Sequence, residues 1–166
     1  TLPETGELAE VNASGGFSAA ESYAWHRQLL QQHGSSYDPR VRARIERGAT
    51  MSASDYIELL HARRAWMARM ESAMAGFDAL LSPTVPITAP TIASVAPGCE
   101  RDAEFFRVNA LLLRNTSVIN MLDGCALSLP CHQAGELPVG LMVWHAALRD
   151  DAVLCISHLI EQLLQQ

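Results

Sequence analysis

Four prolines fall between Pro83 and Gly98, with Thr and Ser scattered among them. Proline fixes φ and removes a backbone donor, so no regular element is expected to run through this stretch. The chain is thereby divided into a helical segment before it and a mixed segment after it. A proline-rich loop of this length inside a compact domain either carries function or covers a surface.

The helices are placed by their end signals. Ser18-Ala19-Ala20-Glu21 reads as a capping box that opens a helix running to His33 and stopping at Gly34. Asp38 followed by Pro39 reads as an N-cap and first-turn proline, opening a short helix that ends at Gly48. A third helix is expected from near Ser54 to just before Gly76, with Ile57, Leu60, Met67, Met70 and Met74 along one inward face. That Met stripe reads as core filling.

Ala79 to Ser82 is short, apolar and closed by Pro83, which predicts a buried strand. Helical pattern resumes from about Asp102 through Leu112. Ala126–Gln133 and Val139–His145 read as two further strands. Asp150 caps a last helix whose Val153, Ile156, Leu159, Ile160 and Leu163 are expected to face inward. The fold class is therefore α/β, about half helix with a few short strands of a mixed sheet. With 166 residues and 18.1 kDa, residues 1–166 suit one compact domain. The chain opens on Thr1 without a leader-like segment, so it reads as a piece of something longer.

Charge narrows the partners. The net charge is -6, which argues against a nucleic-acid or anionic-membrane surface. No apolar run approaches the roughly 20 residues of a membrane span. All 12 basic residues are Arg, so no mechanism needing a lysine base or Schiff base can reside in this chain. Cys99, Cys125, Cys131 and Cys155 contain no Cys-x-x-Cys pair, and no His spacing completes a metal site. Reduced cysteines in a cytoplasmic protein are the expectation. No cofactor motif is legible: Gly-x-Gly-x-x-Gly, a phosphate-binding loop, His-Glu-x-x-His and Gly-x-Ser-x-Gly are all absent. Leu2-Pro3-Glu4-Thr5-Gly6 spells a sortase sorting motif, but without the apolar segment and basic tail such a motif requires. Cys131 and His132 are adjacent. On a strand, neighbours point to opposite faces and do not share a proton. Gly34-Ser35-Ser36 lies between a helix stop and a helix start, where turn geometry alone wants these residues.

Three segments, in order, carry a resemblance. Asp78-Ala79-Leu80-Leu81-Ser82-Pro83-Thr84-Val85-Pro86, with Ala89-Pro90 after it, is similar to an "Asp-x-Leu-Leu-x-Pro-Thr-x-Pro" strand and loop. Asn120 to Pro130 resembles "Asn-Leu-x-Gly-x-Pro-Ala-x-Ser-x-Pro", and Leu137 to Met142 resembles "Leu-Pro-Val-Gly-Leu-Gln". These are segments of the amidase signature family of amidohydrolases, and the chain resembles its C-terminal part. Asp123-Gly124-Cys125 departs from the usual Gly-x-Pro and resembles a bacterial branch carrying Asp-Gly-Cys-Ala.

The resemblance implies amide C–N hydrolysis by a serine, a bridging serine in a cis peptide and a lysine. Those residues would lie N-terminal to everything in this chain, so no catalytic residue is expected here. Arg44-Ile45-Glu46-Arg47-Gly48 resembles the stretch whose Arg grips a substrate carboxylate in glutamine-using members, which makes Arg44 a substrate-binding candidate. The alternative for Arg44 is a helix-end cation meeting the carbonyl dipole. The acid that holds the glutamine amino group in those relatives falls at Leu113, which argues for an amide without a cationic amine. Arg114, Asn115 and Thr116 form a second candidate cluster.

The partners implied are a small amide substrate and the missing N-terminal half. Without that half, exposed sheet edges favour a homo-oligomer or poor solubility. Two other readings stand beside this one: a noncatalytic module that pairs with another chain, and a small hydrolase using Cys131 or a Ser–His pair.

Overall fold

The computed structural model describes residues 2–13 and 15–164. Helix accounts for 65%, above the half expected, and the strands form one small sheet. The chain divides into two compact units, Thr1–Ala73 and Met74–Gln166.

The first unit is helical. A 3₁₀ turn at Pro3–Glu7 leads into α1 (Leu8–Val11), α2 (Gly16–His33), α3 (Pro39–Glu46) and α4 (Ala53–Met74, whose last residue belongs to the second unit). The sortase-like residues thus lie in a 3₁₀ turn, and the Glu4 carbonyl accepts from Trp66 Nε1 at 2.8 Å. Asp38 caps α3 as expected: its Oδ1 accepts from the N–H groups of Arg40 (2.8 Å) and Val41 (3.4 Å). The helix ends at Glu46 and continues as a 3₁₀ turn, Arg47–Thr50, past the expected stop at Gly48. Gly48 is buried because that turn packs on α2 so closely that a Cβ would overlap the Ala19 carbonyl.

Two expectations are corrected here. The Ser18–Glu21 box does not cap α2. The helix starts at Gly16, with Gly15 as N-cap and no side-chain cap, so Ser18 already lies in its first turn. The working box is Ser52–Asp55 at the start of α4. Ser52 N donates to Asp55 Oδ2 at 2.9 Å, and Asp55 N donates to Ser52 Oγ at 3.1 Å. On α4 the expected stripe holds at Met70 and Met74, with Leu60 and Met67 half-buried, and fails at Ile57. Leu59, Trp66, Met70 and Met74 are buried, whereas Ile57 is 51% exposed.

The second unit holds β1 (Leu80–Pro83), α5 (Ile92–Val95), α6 (Asp102–Arg114), α7 (Thr116–Leu122), β2 (Cys125–Pro130), β3 (Gly140–His145) and α8 (Asp150–Leu164). The sheet order is β1-β3-β2, and both described pairings are antiparallel. Leu129, Val143 and Val153 centre its core, with Cys125, Leu127, Ile156 and Ile160 packed around them. One sheet face therefore lies on α8.

Here too the sequence reading is amended. β1 is an edge strand, half-buried and with Leu81 exposed, rather than a buried one. The proline-rich stretch carries one helical turn, α5, between Pro90 and Pro97. β2 stops at Pro130, short of Gln133. On α8, Val153 and Ser157 are buried, but Leu159 and Leu163 are 61% and 68% exposed.

Two outcomes follow for the first unit. Ser52→Ala should lower stability by about 0.5–2 kcal/mol while Ser18→Ala stays within about 0.5 kcal/mol, read by chemical denaturation. The Asp38 carboxyl is held below the usual carboxylate range, first by the Arg40 guanidinium and then by the Arg40 N–H. The folded state thus favours the charged form, so this contribution is present above the unfolded pKa and lost as pH falls through the lower folded one. Asp38→Asn should flatten the loss of stability below about pH 4, measured by thermal unfolding against pH.

Candidate functional site

The proline-rich loop leaves the sheet from the end of β1, and the residues around that take-off form a connected polar cluster. Asn115 is the single residue between α6 and α7, with helical backbone angles. Asn115 Nδ2 donates to the Pro83 carbonyl at 2.8 Å. Arg114 Nε donates to Asn115 Oδ1 at 3.3 Å, which fixes the amide orientation and leaves the rest of an exposed guanidinium facing solvent. Thr116 Oγ1 lies 3.4 Å from the Leu113 carbonyl and caps the turn of helix behind it.

One residue further along, Thr84 N donates to the Gly140 carbonyl at 2.8 Å and extends the β1–β3 ladder by a step. Thr84 Oγ1 and Ser128 Oγ are 2.5 Å apart. These hydroxyls come from the two edge strands and meet above the middle one. They can do so because residue 140 has no side chain: a Cβ there would lie 2.5 Å from Ser128 Oγ and 2.6 Å from Thr84 Oγ1. Ser82 Oγ and Trp144 Nε1, on the same face by register, are buried without a hydrogen-bond partner among the described residues. Sequence reading missed Thr84, Ser128 and Gly140 as a group, since a contact across a strand leaves no local spacing signal.

Arg114, Asn115 and Thr116 are thus brought together in the second unit, while Arg44 lies in the first, half-buried in the last turn of α3. Leu113 is 43% exposed. The Asn120–Pro130 segment turns at Asp123, whose φ of 51 is one that Asp tolerates better than most residues. Gly124 N then donates to the Ile119 carbonyl at 2.9 Å and closes α7.

Cys131, His132 and His145 are engaged elsewhere. Cys131 and His132 lie past the end of β2, so the opposite-faces argument does not describe them. Cys131 Sγ is 3.5 Å from the Val139 carbonyl, and His132 Nδ1 is 3.4 Å from both the N and the O of Val139. His145 is buried with both ring nitrogens used: Nδ1 accepts from Ala146 N at 2.8 Å, which leaves Nε2–H to donate to the Phe77 carbonyl at 3.2 Å. Among the described residues no group of three or more His, Cys, Asp or Glu could hold a metal ion. No helix of the described residues is long and apolar enough to cross a membrane.

The chain has relatives among known proteins. The family model described as Amidase matches residues 8–154, and the chain belongs to that family. It is 28% identical, over 99% of its length, to a 2-amino-5-chloromuconic acid deaminase of Comamonas testosteroni, of which it covers 35%. A glutamyl-tRNA(Gln) amidotransferase subunit of Sulfurisphaera tokodaii is 27% identical over 90% of the chain, which spans 31% of that protein. Among solved structures, a Kluyveromyces lactis allophanate hydrolase superposes with a TM-score of 0.73 at 26% identity, covering 91% of this chain and 24% of that one. The chain therefore represents part of the amidase fold and about a third of the length of these curated relatives.

Proposed function

We propose that this chain is the C-terminal portion of an amidase that hydrolyses a carboxylic amide C–N bond, and that it supplies sheet and substrate-pocket wall. The family match across residues 8–154 carries this reading. The chemistry of the residues agrees with it. Amide hydrolysis needs an activated nucleophile, a proton donor for the leaving amine and an oxyanion site. The described residues supply polar binding groups and no such constellation, and the chain holds no Lys. The Ser–cis-Ser–Lys triad of the family accordingly belongs to the N-terminal half of the complete enzyme. The Asp-Gly-Cys-Ala segment supports membership of the bacterial branch that carries this variant.

Arg44, Arg114, Asn115 and Thr116 are the substrate-side residues in this reading, the two arginines meeting the substrate directly and Asn115 and Thr116 acting through the backbone they hold. Each arginine offers a planar fork to an oxygen acceptor on the acyl side. Leu113 stands where glutamine-using members carry an acid, so the substrate is a small amide without a cationic amine. The enzyme is cytoplasmic in this reading, and the exposed apolar residues Leu81, Leu159 and Leu163 are covered by the N-terminal half or, in its absence, by a second copy.

The direct test compares two preparations. Residues 1–166 alone should hydrolyse no amide, ester or urea derivative above background, whereas the complete polypeptide should turn over simple amides. Turnover by the isolated chain that disappears in Cys131→Ala or His132→Ala would replace this reading with that of a small independent hydrolase. An inert complete polypeptide would favour a noncatalytic module. In the active enzyme, Arg44→Ala should cost on the order of 2–5 kcal/mol in kcat/KM, with Arg44→Lys recovering only part. Steady-state kinetics beside thermal unfolding decide this: a lowered Tm with unchanged kinetics would make Arg44 a helix-end contact.

A further inference from the structure

We infer that Asn115 and the Thr84–Ser128 hydroxyl bridge over Gly140 form a two-point anchor that sets where the loop of residues 85–97 leaves the sheet. In this arrangement Asn115 is a positioning residue acting through that loop. Both anchor points fall on consecutive residues, Pro83 and Thr84, at the end of an edge strand. An edge strand has a ladder on one side only, and here that ladder ends at the Thr84 N to Gly140 O bond.

Pro83 donates no backbone hydrogen bond, so its carbonyl is the only main-chain group by which that residue can be tied. Asn115 Nδ2 binds that carbonyl from outside the sheet, and Arg114 Nε holds the amide in the orientation that points the NH₂ at it. The second tie runs the other way, across the sheet. The Thr84 hydroxyl passes over the bare Cα of Gly140 to reach Ser128 on the far edge. The first residues beyond the anchor, Val85, Pro86 and Ile87, are half-buried, so the loop's course is fixed from its first step. Two ties from opposite sides define a direction, which one alone would leave free to swing.

Hydrogen exchange and kinetics on the complete polypeptide test this. The kinetic arm rests on the proposed amidase activity; the exchange arm does not. Asn115→Ala and Asn115→Asp both remove the donor, the second without changing shape. Each should speed exchange of the non-proline amides between Val85 and Val95 by about tenfold, while amides of Leu141–Trp144 stay within about twofold. Gly140→Ala should do the same by driving a methyl between the hydroxyls. Ser128→Ala should loosen the loop by itself, and adding it to Gly140→Ala should add little, since both remove the same bridge, a coupling that independent sites would not show.

With benzamide as probe, Asn115→Asp should raise KM by about fivefold or more with kcat changed less than KM. Unchanged loop exchange, or equal acceleration in the loop and β3, would overturn the anchor. A loosened loop with unchanged KM would overturn the positioning role. Wild-type polypeptide inert toward amides would refute the amidase reading, while the exchange result would still decide the anchor.

Discussion

Strand β3 is the only described strand with a neighbour on each side, and its register fixes most of the second unit. Residues Met142 to Ala146 are all buried. Leu81 and Leu127 both pair with Val143, which places Val143 under α8 with Leu129 and Val153. Side chains alternate along a strand, so a slip of one residue would turn Val143 away from α8 and bring Met142 and Trp144 beneath it. Two features hold the strand against such a slip. At one end His145 binds the Phe77 carbonyl, and at the other Gly140 admits the Thr84–Ser128 bridge. A slip would place a side chain where Gly140 stands. The lack of a Cβ at one position is thus a register constraint for three strands.

Where the sequence was read correctly, the signal was local and had one structural solution. Asp38-Pro39 could only open a helix, since the proline supplies a fixed φ and lacks the donor that the aspartate would otherwise have to satisfy. The Ser18–Glu21 motif had two solutions, because Gly15 and Gly16 before it let the helix start earlier. Ser52–Asp55 has the shorter acid, and the spacing that usually signals a box is completed by Glu or Gln, so the better cap was the less conspicuous one. The expected helix faces hold at Met70, Met74, Val153, Ile156 and Ile160 and fail at Ile57, Leu159 and Leu163, for a different reason. Periodicity reports how many apolar residues a helix carries on an arc, and it does not report how much of that arc is covered. On α8 Val153, Ile156 and Ile160 pack on the sheet core, while Leu159 and Leu163 of the same expected face are exposed.

The candidate cluster shows the same division. Arg114, Asn115 and Thr116 were legible because three polar residues interrupt an apolar helical run. Their partners were not, because Pro83 lies 32 residues from Asn115 and Thr84 lies 44 from Ser128. Sequence adjacency suggests a cluster that acts as three side chains together. Geometry separates them: one binds a carbonyl, one orients the first, and one closes the turn of helix between them. Arg114 and Asn115 meet at the junction of α6 and α7, where Arg114 Nε donates to Asn115 Oδ1.

The basic residues then bear on what chemistry the chain can host. An arginine stays protonated in proteins, so twelve arginines and no lysine give binding cations and no titratable amine. Carboxylates, thiols and six histidines remain as candidate bases, and of these histidines His26, His145 and His158 are engaged within the fold. Both His145 nitrogens are used within the fold, His26 Nδ1 lies 2.7 Å from the Tyr37 hydroxyl, and His158 Nε2 lies 3.1 Å from Gln162 Nε2 on the same helix. Proton transfer to a leaving amine requires a group that changes charge and faces the substrate. A wall built from arginine forks, amides and hydroxyls can instead hold an acyl oxygen in place while its own protonation stays fixed. Under the proposed function, that division leaves affinity to the residues present and bond cleavage to those of the N-terminal half.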